Sequence, residues 1–360
     1  PRNVDWMALL AFPFFALSCS AIGLLIENGL RSLMKSEKAA GPRGAAAGLA
    51  AVLAVLSVVG VCSSTCYVYA GSASVFGLGT EYDLFPHAAS KVIARPDFPA
   101  RAVNLASDGG FLVWEHPGRF IFTDQRAGLY GEEFYRALNR CLAGEESAWK
   151  AILDKWTPDA AIINCVVPFA ANAVRGLLQD PSWALVYFDG TAALMVRAVS
   201  ENQAIILDKE IQNAGLQLIE KERVRAMNAA GYEVSPRLIG AGEFFLALGR
   251  YREAESIYGV LTRCAPMMGR AWINLGVAQA EQGKVQEAVA TLRRACEVAP
   301  RDVFAWISLY RACNRAGLAD EARVGIERAK KINLKTAMLF LRAEQKAQED
   351  AQGAPAAPAQ

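Results

Sequence analysis

Residues 271–300 read AWINLGVAQAEQGKVQEAVATLRRACEVAP, and their spacing decides what the C-terminal third of the chain is. Gly249, Gly283 and Gly317 stand 34 residues apart. So do Ala254, Ala288 and Ala322, and so do Tyr258, Leu292 and Ile326. Pro266 and Pro300 keep the step, with Leu334 in the third place, and Trp272 and Trp306 keep it with Leu238 one repeat earlier. Small residues at fixed places let two antiparallel helices approach closely. Trp272 and Leu275 are then expected to pack against Leu292 and Ala295, and the proline ends the second helix. Each unit leaves an apolar face that only a neighbour can bury, so about three units are the minimum for stability.

This is the tetratricopeptide pattern: Trp, Leu-Gly, then Gly, Ala, an apolar residue, Ala and Pro at fixed offsets. Three repeats are read at 235–336, a capping helix at 337–348 and an Ala-Pro-rich disordered tail at 349–360. The resemblance implies a concave groove lined by the first helix of each pair and occupied by a protein or peptide partner. Glu243, Asn274, Arg311, Asn314 and Arg315 are the polar candidates for its lining. Only Asn274 resembles the carboxylate clamp of chaperone-binding members; Ile239, Glu243, Phe304 and Ser308 stand where its other polar residues would be.

The opposite end of the chain reads differently. Trp6–Ile26 is a run of 21 residues without a charge, and Gly44–Thr80 is another, apolar over about Ala45–Ala70. A bilayer core takes about 20 apolar residues, so transmembrane helices are expected at 6–26 and 45–70. The loop 27–44 carries Arg31, Lys35, Lys38 and Arg43 against Glu37, which makes it the cytoplasmic side. Residues 71–360 are then expected outside an inner membrane, with membrane lipid as a further partner. The chain begins at Pro1 rather than Met, which suggests a fragment or a processed product.

Between these ends, residues 73–200 read as a small mixed α/β domain, followed by connecting helices at 201–234. A short helix is expected at Pro86–Ala94 and strands at Arg101–Leu105, Phe111–Glu115 and Arg119–Thr123, with Pro117-Gly118 as a turn. Helical spacing recurs in Phe134, Ala137, Leu138 and Cys141 and again in Trp149, Ile152, Leu153 and Trp156. Ala160–Val167 reads as a buried strand and Ala170–Leu178 as a helix. Trp183–Phe188 and Thr191–Arg197 flank Asp189-Gly190, a type I′ hairpin signal. Gly109-Gly110 is neither G-x-G-x-x-G nor a P-loop. Asp108, Asp124 and Arg126 form a candidate ligand rim, against the plainer reading of an Asp–Arg pair tying a loop. A sugar-binding module would add Trp114 to those three.

The runs FPHAASKVIA (85–94), RAVNLASDGGFLVWE (101–115), RFIFTDQRAGLYGEEF (119–134) and WALVYFDGTAALMVR (183–197) resemble the domain that follows the last membrane helices in some bacterial proteins similar to dolichyl-phosphate-mannose-type glycosyltransferases. Asn104, Gly109, Gly110, Leu112, Trp114, Asp124, Arg126, Tyr130 and Gly131 carry the resemblance; Asp108 departs from an expected aromatic. The resemblance implies that catalysis, on a lipid-linked sugar, belongs to acidic residues of an early loop that this chain does not contain. No catalytic residue is therefore carried over. The chain would be the non-catalytic end of such an enzyme or, alternatively, part of an active one.

Bulk properties fit this division. Net charge is +2 with 21% charged residues, which is not a nucleic-acid-binding balance. Two histidines, His87 and His116, give little material for a metal site or a triad, and no cofactor is expected. Eight cysteines are scattered without C-x-x-C, so neither zinc nor a disulfide framework is read, with Cys296 and Cys313 the one pair to check. The fold class expected is multi-domain: two transmembrane helices, a mixed α/β domain and an all-α tetratricopeptide solenoid.

Overall fold

The computed structural model describes residues 84–142, 144–228 and 234–353, with Val55 as one isolated further residue. The elements below all fall in the compact unit that includes Glu81–Gln360. No helix among the described residues is long and apolar enough to cross a membrane. This overturns the expected fold class with two transmembrane helices, and with it the inner-membrane localisation of 71–360 outside. The physical reason is composition: the two 20-residue helices, Lys209–Asn228 and Leu334–Gly353, are studded with charge, and the apolar Pro236–Ala247 has only 12 residues. The stretches read as spans, 6–26 and 45–70, and the loop 27–44 lie outside the described residues.

The first half is a four-stranded sheet between helices. Helix α1 (His87–Ile93) leads to β1 (Ala102–Asn104), α2 (Ala106–Glu115), the single turn α3 (Ala127–Tyr130), α4 (Glu132–Leu142) and α5 (Glu146–Trp156). Strand β2 (Ala160–Asn164), α6 (Ala171–Leu178), β3 (Trp183–Phe188) and β4 (Ala192–Arg197) follow. The strand order is β1-β2-β4-β3, with β1 parallel to β2 and the other pairings antiparallel. Side chains alternate across a strand. Ala161 and Ile163 accordingly enter one core with Leu138, Trp149 and Val174, while Ala160 and Ile162 enter another with Val92, Ile93, Leu112 and Ile205. Burial on both faces is why β2 is apolar at four of its five positions.

Two expected strands are not strands. Phe111–Glu115 is the second half of α2. Its aromatic and β-branched run suits a strand, but tertiary packing wins. A Cβ on Gly109 would lie 2.1 Å from the Thr123 carbonyl oxygen and 2.6 Å from the Asp124 Cα, so α2 rests its backbone directly on that segment. Arg119–Thr123 joins no ladder, because side chains meet its polar groups. Asn104 Nδ2 donates to the Thr123 carbonyl (2.7 Å) and its Oδ1 accepts from Phe122 N–H (2.9 Å). The Arg119 guanidinium donates to the carbonyls of Ile93, Phe98 and Pro99.

The β3–β4 hairpin forms, though not with a type I′ turn, which needs positive φ at both central residues. Gly190 has φ +89, and Asp189 is not among the positive-φ residues. Instead, the Asp189 carboxylate accepts from the N–H groups of Thr191 and Ala192, both at 2.9 Å, an Asx-type turn over three linking residues.

After α7 (Gln203–Leu207) and α8 (Lys209–Asn228), three helix pairs follow: α9 (Pro236–Ala247) with α10 (Tyr251–Cys264), α11 (Gly269–Glu281) with α12 (Val285–Val298), and α13 (Val303–Arg315) with α14 (Ala319–Ile332). Helix α15 (Leu334–Gly353) closes the series. The sequence period returns as backbone geometry. Gly249, Gly283 and Gly317 have φ of +70, +81 and +75. Just after them, the N–H groups of Arg250, Lys284 and Leu318 donate to the carbonyls of Phe245, Gln279 and Cys313 at 2.8, 3.0 and 2.9 Å. That is a Schellman stop, made three times. The indole N–H of Trp272 donates to the Pro266 carbonyl at 2.9 Å, and that of Trp306 to Pro300 at 3.0 Å.

Close approach within a pair needs a glycine. A Cβ on Gly242 would meet Tyr258 at 2.6 Å, and one on Gly276 would meet Leu292 at 2.5 Å. In the third pair Tyr310 stands at this place and the glycine moves to the partner helix, where a Cβ on Gly325 would lie 3.4 Å from Tyr310 N. One expected contact differs. Leu292 and Ala295 share a core with Trp272 packed against it, whereas Leu275 belongs to the core shared with α9 and α10.

Candidate functional site

The five expected groove residues fall into two groups along the first helices of the pairs. The first centres on Glu243 of α9. Its Oε1 accepts from Asn274 Nδ2 (2.7 Å), Arg270 Nε (3.0 Å) and the Tyr258 hydroxyl (3.1 Å). A second Arg270 nitrogen lies 2.9 Å away as an ion pair. Tyr258 is fully buried, and burial first, then the Glu243 charge, pushes its phenol well above the usual range. The hydroxyl therefore stays protonated as a donor, fitting into the space that Gly242 leaves open.

The second group is Arg311, Asn314 and Arg315 on α13. With Tyr310 and Glu344 they line a cavity of about 310 Å³. Arg315 ion-pairs with Glu281 at 2.9 Å and donates to the Ala280 carbonyl at 3.2 Å. The Arg311 guanidinium lies 5.9 Å from the Phe340 ring centre. A smaller cleft between α11 and α13, lined by Val277, Glu281 and Ser308 among others, shares Arg311 and Arg315 with that cavity. Asn274, Val277 and Glu281 lie on one face of α11, so the two groups are joined along that helix.

Residues that sequence reasoning missed adjoin the first group. A cavity of about 200 Å³ is lined by Phe169, Ala171, Asn172 and Arg175 from the β2–α6 region and by Glu243, Leu246 and Ala247 of α9. Nothing in the repeat pattern points to the first four, because they precede the repeats by at least sixty residues.

The candidate rim has another character. Asp108 is wholly buried; one oxygen accepts from Asn164 Nδ2 at 2.8 Å, and the other has no hydrogen-bond partner among the described residues. Burial pushes its carboxyl up to about 7. Asp124 accepts from the backbone N–H and the guanidinium of Arg126, at 2.9 Å and 2.8 Å, and the Arg126 bond holds its carboxyl below the usual range. Trp114 is exposed. His116 Nε2 lies 3.0 Å from the Ser90 hydroxyl. Among the described residues no group of three His, Cys, Asp or Glu could hold a metal ion, and Cys141, Cys165, Cys264, Cys296 and Cys313 are free thiols.

Comparison with known proteins bears on the repeats. No curated protein matches the chain. Among solved structures, a MamA mutant is 15% identical with a TM-score of 0.29, over 56% of this chain and 100% of that one. MamA MSR-1 is also 15% identical at 0.29, over 59% of this chain and 99% of that one. The TPR2AB domain of yeast Sti1 in complex with pHSP90 is 17% identical at 0.27, over 61% and 69%. At these scores the likenesses add nothing to the fold read from the helices. None of these matches carries the resemblance to glycosyltransferases. The tetratricopeptide repeat family matches residues 240–303, so this part of the chain is a tetratricopeptide-repeat region.

Proposed function

We propose that the protein binds an extended segment of a partner protein in the groove along α9, α11 and α13. The observation that carries this is the alignment of polar side chains with cavities. Glu243, bonded to Asn274, lines one hollow, and Arg311, Asn314 and Arg315 line another of about 310 Å³. Both adjoin first helices of the repeat pairs, and the tetratricopeptide repeat family matches residues 240–303. Such a row offers donors and acceptors to a peptide backbone, and the apolar wall between them offers pockets for alternate side chains. The glycosyltransferase resemblance brings no catalytic residue into this chain and adds none to this reading.

Selection of peptides from a random library on the full chain tests it. Replacing Arg311 and Arg315 with Glu sets a carboxylate against Glu281 and reverses the charge at one end of the groove. Selected peptides are expected to bind this variant at least about tenfold more weakly. Unchanged binding would refute the assignment.

A further inference from the structure

We propose that the cavity where the sheet meets the first repeat is an anchoring subsite for a carboxylate on the bound segment, with an apolar side chain seated beside it. The proposal rests on the groove reading above and extends it beyond the repeats. Charge selects the ligand. Of the charged groups lining this cavity, Glu243 is already answered by Arg270 at 2.9 Å. Arg175 is exposed on α6 and has no ion-pair partner among the described residues, and the Asn172 carboxamide makes no hydrogen bond among them. One guanidinium and one carboxamide therefore face the cavity with donors to spare, in the fork geometry that suits a carboxylate.

The walls select the rest. Leu246, Ala247 and Ala171 supply apolar surface. Phe169 supplies a ring that is 57% exposed, although its backbone has φ +66. That left-handed conformation disfavours any residue with a Cβ. Strain held at a ligand-facing position is a recurrent mark of a binding site. The Arg270 guanidinium lies 5.8 Å from the ring centre, which ties the ring to the first groove group.

The probe is a synthetic peptide chosen from the random library, prepared with its carboxylates intact or all converted to amides. Binding to the full chain is measured by fluorescence polarisation at low and high salt. Amidation is expected to weaken binding about tenfold, and Arg175→Ala to weaken the acid form about fivefold. The same variant should cut the acid–amide difference to about twofold and weaken its salt dependence. Phe169→Gly should weaken binding about threefold while leaving thermal stability equal or higher, because it relieves the backbone. If Arg311→Glu with Arg315→Glu weakens binding but Arg175→Ala leaves the affinity and the acid–amide ratio unchanged, the subsite is refuted and the groove stands. If no library peptide binds the wild-type chain, both readings fall.

Discussion

Replacing Asp108 with Asn tests the account of the buried cluster between α2 and β2. Asp108 has no exposure, a single side-chain partner in Asn164, and a carboxyl raised from 3.8 to about 7, with burial as the main cause. The sign follows from proton counting. Between those two values the folded chain keeps a proton that the unfolded chain gives up, so this group lowers stability as pH rises through the window. A shift of this size corresponds to roughly 4 kcal/mol in full. Between about pH 5 and about pH 8, roughly 2 to 3 kcal/mol of it should appear. His116 acts in the opposite direction: burial and then Arg119 lower its pKa, so it adds stability as pH rises toward its ordinary value. The quantity to read is therefore the difference between wild type and Asp108→Asn, from urea denaturation followed by tryptophan fluorescence. Wild type should lose roughly 2 to 3 kcal/mol more than the variant on going from the lower pH to the higher. Parallel pH curves for the two proteins would refute the argument that Asp108 is held protonated by desolvation.

Two further outcomes follow from the packing. Arg237→Met leaves Asp189 buried without its ion-pair partner at 3.1 Å, and should cost about 3 kcal/mol; a loss under about 1 kcal/mol in the same denaturation assay would contradict it. Alanine at three glycines should give a graded series. Gly240 comes first, where a Cβ would lie 2.0 Å from the Gly190 carbonyl oxygen, then Gly276, 2.5 Å from Leu292, then Gly283, which has φ +81 and no atom within 4 Å. Losses of about 3, 2 and 1 kcal/mol are expected, and a Gly283→Ala loss equal to that of Gly240→Ala would break the ranking.

The repeats were legible because their period is enforced by local sterics. Gly283 must take positive φ, Gly276 must admit Leu292, and Trp272 must reach the Pro266 carbonyl. Each requirement fixes a residue type at a fixed offset. The hairpin was legible for a similar reason, although the Asp189 carboxylate chose a different turn. Helix α2 was not legible, since its FLVW run favours a strand and the Gly109 contact that outweighs this lies in a segment more than ten residues on. Nor could the Asn104 ties to Phe122 and Thr123 be read, because they join partners about eighteen residues apart through a side chain. One overlooked signal was present. Arg237 stands where Ala271 and Ala305 keep the step, and Gly240 where Asn274 and Ser308 do. Those departures from the period are the points at which α9 meets the β3–β4 hairpin, with Phe244 stacked on Phe188 at 3.6 Å.

That junction gives the array a direction. The core between the sheet and α4–α6 runs without interruption into α9 and α10 and on to Leu275, whereas the later pairs are held by separate, smaller clusters. In a linear array each unit is stabilised only by its neighbours. Melting should therefore begin at the α13–α15 end and travel toward the sheet, like a zipper opening from its loose end. Amide exchange would rise in that order, and Arg311 and Arg315 would let go of a partner before Glu243 and Asn274 did. A segment held as proposed along α9, α11 and α13 would be released from one end to the other, with its last grip beside the sheet.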